Sequence, residues 1–420
     1  MRRFNIFPIT RLMLLGLGFS SVRSATPLMR IALSPEDSVK VAASSGQSAA
    51  DVDVDSIMSI LYYLDPDDSE DTLLQIEAVD YQPVRAAIIL DDIYGKKEMD
   101  FSRGFIYGLH KIGMPDNSIA IKMVNGSIPA DSLVWSLETF QPDVIFTTLD
   151  NGCPPAIIDY AGDHSTKIVN VFDTRSDSYS SSPSLVQVLI PSQKFNASSA
   201  LYLSDSLGGG ELVMVGEIED NDALLKQLLQ VWPGENQVSI LREDIPTYKY
   251  EPGKKYVFYV TSSSQADIKE SLKNITALVN KYPDINFDVI GRPSWIAIND
   301  LSKAINGLNV YVPAKCFFDV ATAKESRWFI PEFKEMFGSA PIKSYPIYSI
   351  MGFDMAKYFM PQIYNEINNI GSTHWPDAEE LQLNIVLVND NWYSGQYNAG
   401  SYIINYSPDG KITKIPVRAN

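Results

Sequence analysis

From residue 84 onward, short, mostly apolar runs alternate with stretches in which apolar residues recur every three or four positions. Ten such runs lie at 84–90, 119–124, 144–149, 168–172, 186–190, 212–215, 238–241, 256–260, 287–290 and 308–312. They predict strands. Between them Met99, Phe101, Phe105, Leu109 and Ile112 line one face of a helix closed by Gly113, and Gly104 and Gly108 let that helix lie close on a sheet. Ile268, Leu272, Ile275, Val279 and Tyr282 form a second stripe, opened by the serines at 262–264 and stopped by Pro283. Strands alternating with helices at this pace predict parallel sheets with covering helices, and ten strands are too many for one small sheet.

The rhythm changes near Asp319. Phe329, Phe333 and Phe337 lead to Gly338, then Met355, Phe359, Ile363, Ile367 and Ile370 lead to Gly371, as two aromatic-rich helices. Strands are expected again at 383–388, 401–406 and 412–417, with Pro408-Asp409-Gly410 as a tight turn, so the ending reads as antiparallel. Because connections stay short and unknotted, the economical arrangement is two α/β lobes, with the chain crossing from one to the other and partly back. The boundaries predicted are lobe 1 at about 84–184 and 319–380, and lobe 2 at about 185–318 and 381–420.

The first 83 residues follow a different pattern. Met1-Arg2-Arg3, an apolar stretch over 4–19 and small residues up to Ala25 have the order of a secretory signal, predicted over 1–24. Pro8 and Arg11 leave only 12–19 purely apolar, too short for a membrane span of ~20 residues, so no transmembrane segment is expected once the signal is cleaved. Residues 25–83 read as an acidic linker. Ten acids and no base fall between Asp51 and Asp80, and a short helix through Ile57, Leu61 and Leu64 is stopped at Pro66. Removal of the signal takes four arginines and no carboxylate, which makes an exported chain more acidic still.

With 45% hydrophobic and 20% charged residues, the chain has the composition of a folded protein. Its formal charge of −17 argues against nucleic acid as a partner, since phosphate backbones require a basic face. Two cysteines, Cys153 and Cys316, cannot build a disulfide framework or a thiolate metal site. The histidines, at 110, 164 and 374, lack metal-ligand spacing, so no metal or cofactor is predicted. A Cys153–His164 nucleophile pair is open on spacing alone. The triplet Gly208-Gly209-Gly210 precedes a strand instead of following one, so it cannot cradle phosphate at a helix start. No phosphate-loop, nucleophile-elbow or zinc-helix motif occurs, and enzyme function has no support.

Open α/β sheets bind ligands beyond the carboxyl ends of their strands. In the first lobe that rule selects Asp91, Asp92 and Tyr94; Asn125; Asp150, Asn151 and Cys153; and Asp173 with Arg175. In the second it selects Ser192, Glu217, Arg242, Ser262 to Ser264, and Arg292 with Trp295. The ligand-binding set predicted from these is Tyr94, Asn151, Asp173, Ser192, Ser262, Ser263, Arg292 and Trp295. Arg292 and Trp295 stand out, as a cation and a large aromatic beside Gly291 and Pro293 on a loop.

Six segments in order carry a resemblance to a known family: 84–90 with 101–105, 185–192, Gly291-Arg292-Pro293-Ser294-Trp295, 308–313, 352–359, and 398–412 with Pro408-Asp409-Gly410. Together they resemble the type I periplasmic-binding fold, the leucine-binding-protein-like family, and especially its members in Bacteroidetes that often carry LysM repeats upstream. The resemblance implies two doubly wound three-layer lobes joined by a hinge. It also implies an exported, non-enzymatic protein of the periplasm or cell envelope that clamps a small polar solute. Its alternative is a cell-envelope scaffold or regulator, like the peptidoglycan-synthase activators that resemble the same fold and bind a protein partner. Where amino-acid binders of the family hold the ligand carboxylate, this chain reads Asp150-Asn151-Gly152-Cys153-Pro154-Pro155, with a repelling charge and two prolines that donate no N–H.

Overall fold

The computed structural model describes residues 81–420 except 151, 176–177, 299–300, 306, 372–379 and 420. The expected signal peptide and nearly all of the acidic linker lie outside the described residues. The first sheet contains β1 (Val84–Leu90), β2 (Ile119–Asn125), β3 (Val144–Thr147), β4 (Lys167–Asn170), β5 (Leu185–Gln187), β11 (Leu387–Asn389) and β12 (Gln396–Asn398), in the order β11-β12-β5-β4-β3-β1-β2. The second contains β6 (Glu211–Val215), β7 (Gln237–Ile240), β8 (Lys255–Val260), β9 (Asn286–Ile290), β10 (Asn309–Ala314), β13 (Gly400–Tyr406) and β14 (Ile412–Arg418), in the order β14-β13-β10-β9-β8-β6-β7. Pairing is parallel except at β11–β12, β10–β13 and β13–β14.

Each sheet is covered on both faces, which is why its central strands are apolar throughout. Ile88 pairs with Phe146, and on that face α1 (Lys96–Lys111) and α9 (Tyr348–Ile367) pack, with ring centroids 4.9 Å apart for Phe105–Phe146 and 6.1 Å for Phe146–Phe359. Ala87 and Ile145 point the other way, into a core shared with Leu133 and Leu137 of α2 (Ala130–Phe140) and Ile157 and Tyr160 of α3 (Pro155–His164). In the second lobe α4 (Ser192–Leu207) and α5 (Ala223–Val231) cover one face. The other is covered by α6 (Gln265–Lys281) and α7 (Leu301–Ala304). A satellite aromatic cluster joins Phe329 and Phe333 of α8 (Ser326–Phe337) to Tyr107 and Phe353. Among the described residues no helix is long and apolar enough to cross a membrane.

Three observations depart from the sequence reading. Residues 185–187, expected to open the second lobe, form β5 and pair with β4 in the first sheet. The expected strand at 383–388 shrinks to β11, and β11 and β12 also join the first sheet, so the last change of lobe falls at Ala399 instead of 381. Three-residue strands carry too little pattern to announce which sheet they enter. Finally, Gly104 and Gly108 bring α1 onto α9, not onto the sheet. A Cβ at Gly104 would lie 1.8 Å from Ser349 O, and one at Gly352 would lie 2.0 Å from Phe101 O.

That contact is backbone against backbone and cannot yield by a rotamer change. Gly104→Ala is therefore expected to lower stability by about 1–3 kcal/mol through overpacking, read as a lower urea midpoint. Gly162 in α3 meets nothing within 4 Å. Gly162→Ala should instead raise the midpoint slightly, because it only removes backbone freedom.

Candidate functional site

Strand β5 leaves the first sheet and β10 leaves the second at their carboxyl ends, so both parallel sheets present those ends toward the crossovers. The first-lobe rim begins after β1, where Tyr94 is 88% exposed and its backbone N–H donates to Asp92 Oδ1 at 3.0 Å. At the carboxyl ends of β3 and β4 a cavity of about 10 Å³, enough for roughly one water, is lined by Lys97, Phe101, Thr148, Asp150, Phe172 and Tyr348. Lys97 Nζ stands 5.5 Å from the Tyr348 ring centroid, and its bond to that hydroxyl, aided by Asp150, pushes its pKa up. Asn151 lies outside the described residues.

Asp173 is buried and occupied locally. Its Oδ1 accepts the Arg175 N–H at 2.8 Å and Nε at 3.4 Å, while Oδ2 accepts from Asn170 Nδ2 at 3.5 Å and Ser178 Oγ at 3.3 Å. Ser192, the first residue of α4, reaches back across the crossover and donates through Oγ to Thr174 O at 3.1 Å. The same oxygen accepts from Lys315 Nζ at 2.8 Å. The chain thus brings Asp173, Thr174, Ser192 and Lys315 to the place where two crossovers run side by side.

On the second-lobe rim, Ser262 Oγ donates to Asp267 Oδ2 at 3.1 Å and accepts the Ser264 N–H at 3.1 Å, bracing the start of α6. Ser263 is exposed. Arg292 is turned inward, bonding Thr261 O at 2.7 Å, Glu219 at 3.1 Å and Asp222 at 3.4 Å. Asp222 also caps α5 through Leu225 N–H and accepts from the Tyr259 hydroxyl, so Arg292 ties one rim together from within. Trp295 is a correction to the sequence reading. It is 0% exposed, sits in the second-lobe core, and its Nε1–H meets no acceptor among the described residues. A Pro-led turn of 3-10 helix, Pro293–Ala297, folds the indole under Gly291, where a Cβ would come within 2.4 Å of its ring.

The sequence reading missed Lys315, Lys97 and Tyr348. The signal for Lys315 was its position, a charged residue directly after the apolar run of β10. The open question of a Cys153–His164 pair closes against it. Cys153 precedes the ten-residue α3 and His164 ends it, about 15 Å of helix axis away, and burial pushes the Cys153 thiol up to about 12. Such a thiol is inert. His164 instead stacks on Tyr160, with Nδ1 2.9 Å from the Tyr160 carbonyl. Two larger hollows lie away from the crossovers, about 360 Å³ at the amino ends of β1, β3 and β4, and about 400 Å³ beside Tyr248.

No protein-family model matches the chain, and no curated protein matches its sequence. Solved structures match its fold. A protein provisionally assigned as a branched-chain amino acid ABC transporter from Rhodospirillum rubrum superposes with a TM-score of 0.53 at 10% identity, over 79% of this chain and 100% of that one. A branched chain amino acid ABC transporter periplasmic ligand-binding protein from Burkholderia xenovorans gives 0.47 at 10% identity, over 80% and 96%. Full-length LpoA from Haemophilus influenzae gives 0.48 at 12%, over 91% of this chain and 65% of that one. Two seven-stranded sheets, each covered by helices on both faces and joined by three crossovers, give this chain the type I periplasmic-binding fold.

Proposed function

We propose that the protein is a non-enzymatic solute-binding protein of the cell envelope, exported through its N-terminal signal, that clamps a small polar molecule between its two lobes. The observation that carries this reading is the meeting of polar groups at the carboxyl ends of parallel strands, with Ser192 bonded to Lys315 and to the first-lobe Thr174 carbonyl where the crossovers run together. Tyr94, 88% exposed on one rim, and Ser263, exposed on the other, are free to contact a solute. Arg292 and Ser262 shape the second rim through their bonds within it, and Asp173 shapes the first. A thermal-shift screen of amino acids, sugars, nucleosides and peptidoglycan fragments tests the reading, because a ligand preferring the folded state at a hundredfold its Kd adds about 2.7 kcal/mol. At least one class is expected to raise the midpoint, and a midpoint unmoved by all four overturns the proposal.

One feature favours a second reading, a scaffold or regulator that binds a protein partner. Trp392 and Tyr393 are 92% and 56% exposed on the β11–β12 loop. Asn389, Asn391 and Ser394 hold that loop by hydrogen bonds, so the aromatics are presented on a fixed tip. Exposed aromatics of this kind mark contact surfaces. Solute shifts that survive Trp392→Ala favour the first reading.

A further inference from the structure

Lys315 lies in the crossover that leads from β10 back to the first lobe, and among the described residues its ammonium makes no ion pair. Its one hydrogen-bond partner among the described residues is neutral, Ser192 Oγ at 2.8 Å, and the Phe195 ring centroid stands 5.6 Å away. The titratable groups acting on it are Cys316 beside it in the chain and Asp173 from the loop after β4. Asp173 is already engaged by Arg175, Asn170 and Ser178. Burial outweighs both influences and pushes the Lys315 pKa down to about 8. An ammonium has three donors, and withdrawing it from water is costly unless an anion meets it. The first turn of the sixteen-residue α4, which starts at Ser192, adds the positive end of its dipole at the same place.

We propose that Lys315 and Ser192 hold the anionic group of the solute, which makes the ligand a small acid, carboxylic or phosphorylated, and not a neutral sugar or nucleoside. This rests on the solute-binding reading above. The acid's oxygen takes the two ammonium donors that Ser192 leaves free, as a charge-assisted pair. Tyr94 and Ser263 on the two rims are left to contact the rest of the molecule.

The test is calorimetric titration and thermal shift of the full chain with succinate, acidic amino acids and inorganic phosphate, against glucose and adenosine as neutral probes. The acids are expected to raise the midpoint and the neutral probes to leave it unchanged. Succinate without phosphate identifies a carboxylate ligand, and phosphate without succinate a phosphorylated one. Lys315→Met is expected to weaken acid binding on the order of tenfold or more, without loss of folding, since it removes a half-buried charge that no ion pair balances among the described residues. In the parent, acid affinity should fall from pH 7 to 9 as Lys315 loses its proton, and this slope should be absent in Lys315→Met. Should that variant not fold, the parent's pH slope and a weakened Ser192→Ala carry the test. Equal acid affinity in Lys315→Met, or a flat parent profile, overturns the assignment. A neutral probe that binds while the acids do not overturns it and spares the solute-binding reading, whereas silence from every probe and from the wider screen overturns both.

Discussion

Trp295→Ala is expected to cost about 3–5 kcal/mol of stability and to leave the affinity for any solute that binds the folded protein unchanged. The indole is fully buried among Phe258, Val289, Leu301 and Val312, and Gly291 exists in its present form because a side chain there would strike the ring. Removing the indole leaves a cavity that strands β8, β9 and β10 cannot close, since each is held on both sides by its ladder. Urea unfolding at 25 °C gives the stability change, and titration of the folded fraction gives the affinity. A variant with the parent's midpoint but weakened binding would put Trp295 in contact with ligand after all.

A loss of comparable size, about 3 kcal/mol or more, is expected for Asp354→Ala. The carboxylate is fully buried in α9 and accepts three backbone N–H groups, from Leu381 at 2.7 Å, Gln382 at 2.9 Å and Leu383 at 3.2 Å. Each orphaned buried donor costs about 1–3 kcal/mol. These bonds fix the segment that leads into β11, and Gln382 passes the restraint on through Ile347 and Phe317. Burial outweighs the N–H donors and pushes the Asp354 pKa up to about 7. A carboxyl whose folded-state pKa is raised contributes stability that is complete below its unfolded value near 4 and is lost as pH rises through 7. The gap between parent and Asp354→Ala should therefore be widest at pH 4 and narrow toward pH 8, as urea midpoints across that range would reveal. A gap that widens with pH would contradict the burial argument.

The apolar runs made the parallel strands legible because a strand covered on both faces has no polar alternation to blur it. Nine of the ten expected before Asp319 coincide closely with an observed strand; the run at 186–190 overlaps β5 at 186–187 only. What the pattern could not convey was membership. Leu185–Gln187, Leu387–Asn389 and Gln396–Asn398 are three residues each, and their sheet is decided by long-range pairing, not by local sequence. The site was legible as loops but not as orientations. Arg292 and Trp295 shared every outward sign of ligand contacts, yet Asp222, Glu219 and a waiting slot under Gly291 draw them inward. Lys315 gave the opposite case, a plain lysine after a strand whose meaning depends on a serine 123 positions earlier.

The chain passes between the lobes three times, the last time with only Ala399 between β12 and β13. Neither lobe is therefore a continuous stretch of polypeptide. Each is assembled from two separate segments, and the first lobe's α9 and β12 are synthesised only after the whole middle of the second lobe. A cut at any single crossover leaves two covalent links in place, so a nicked molecule stays in one piece. Folding cannot proceed as one finished lobe followed by another. The first sheet must wait for β12 to reach β5, a loop closure across about 200 residues, and topology of that kind slows folding more than any local preference in these helices can speed it.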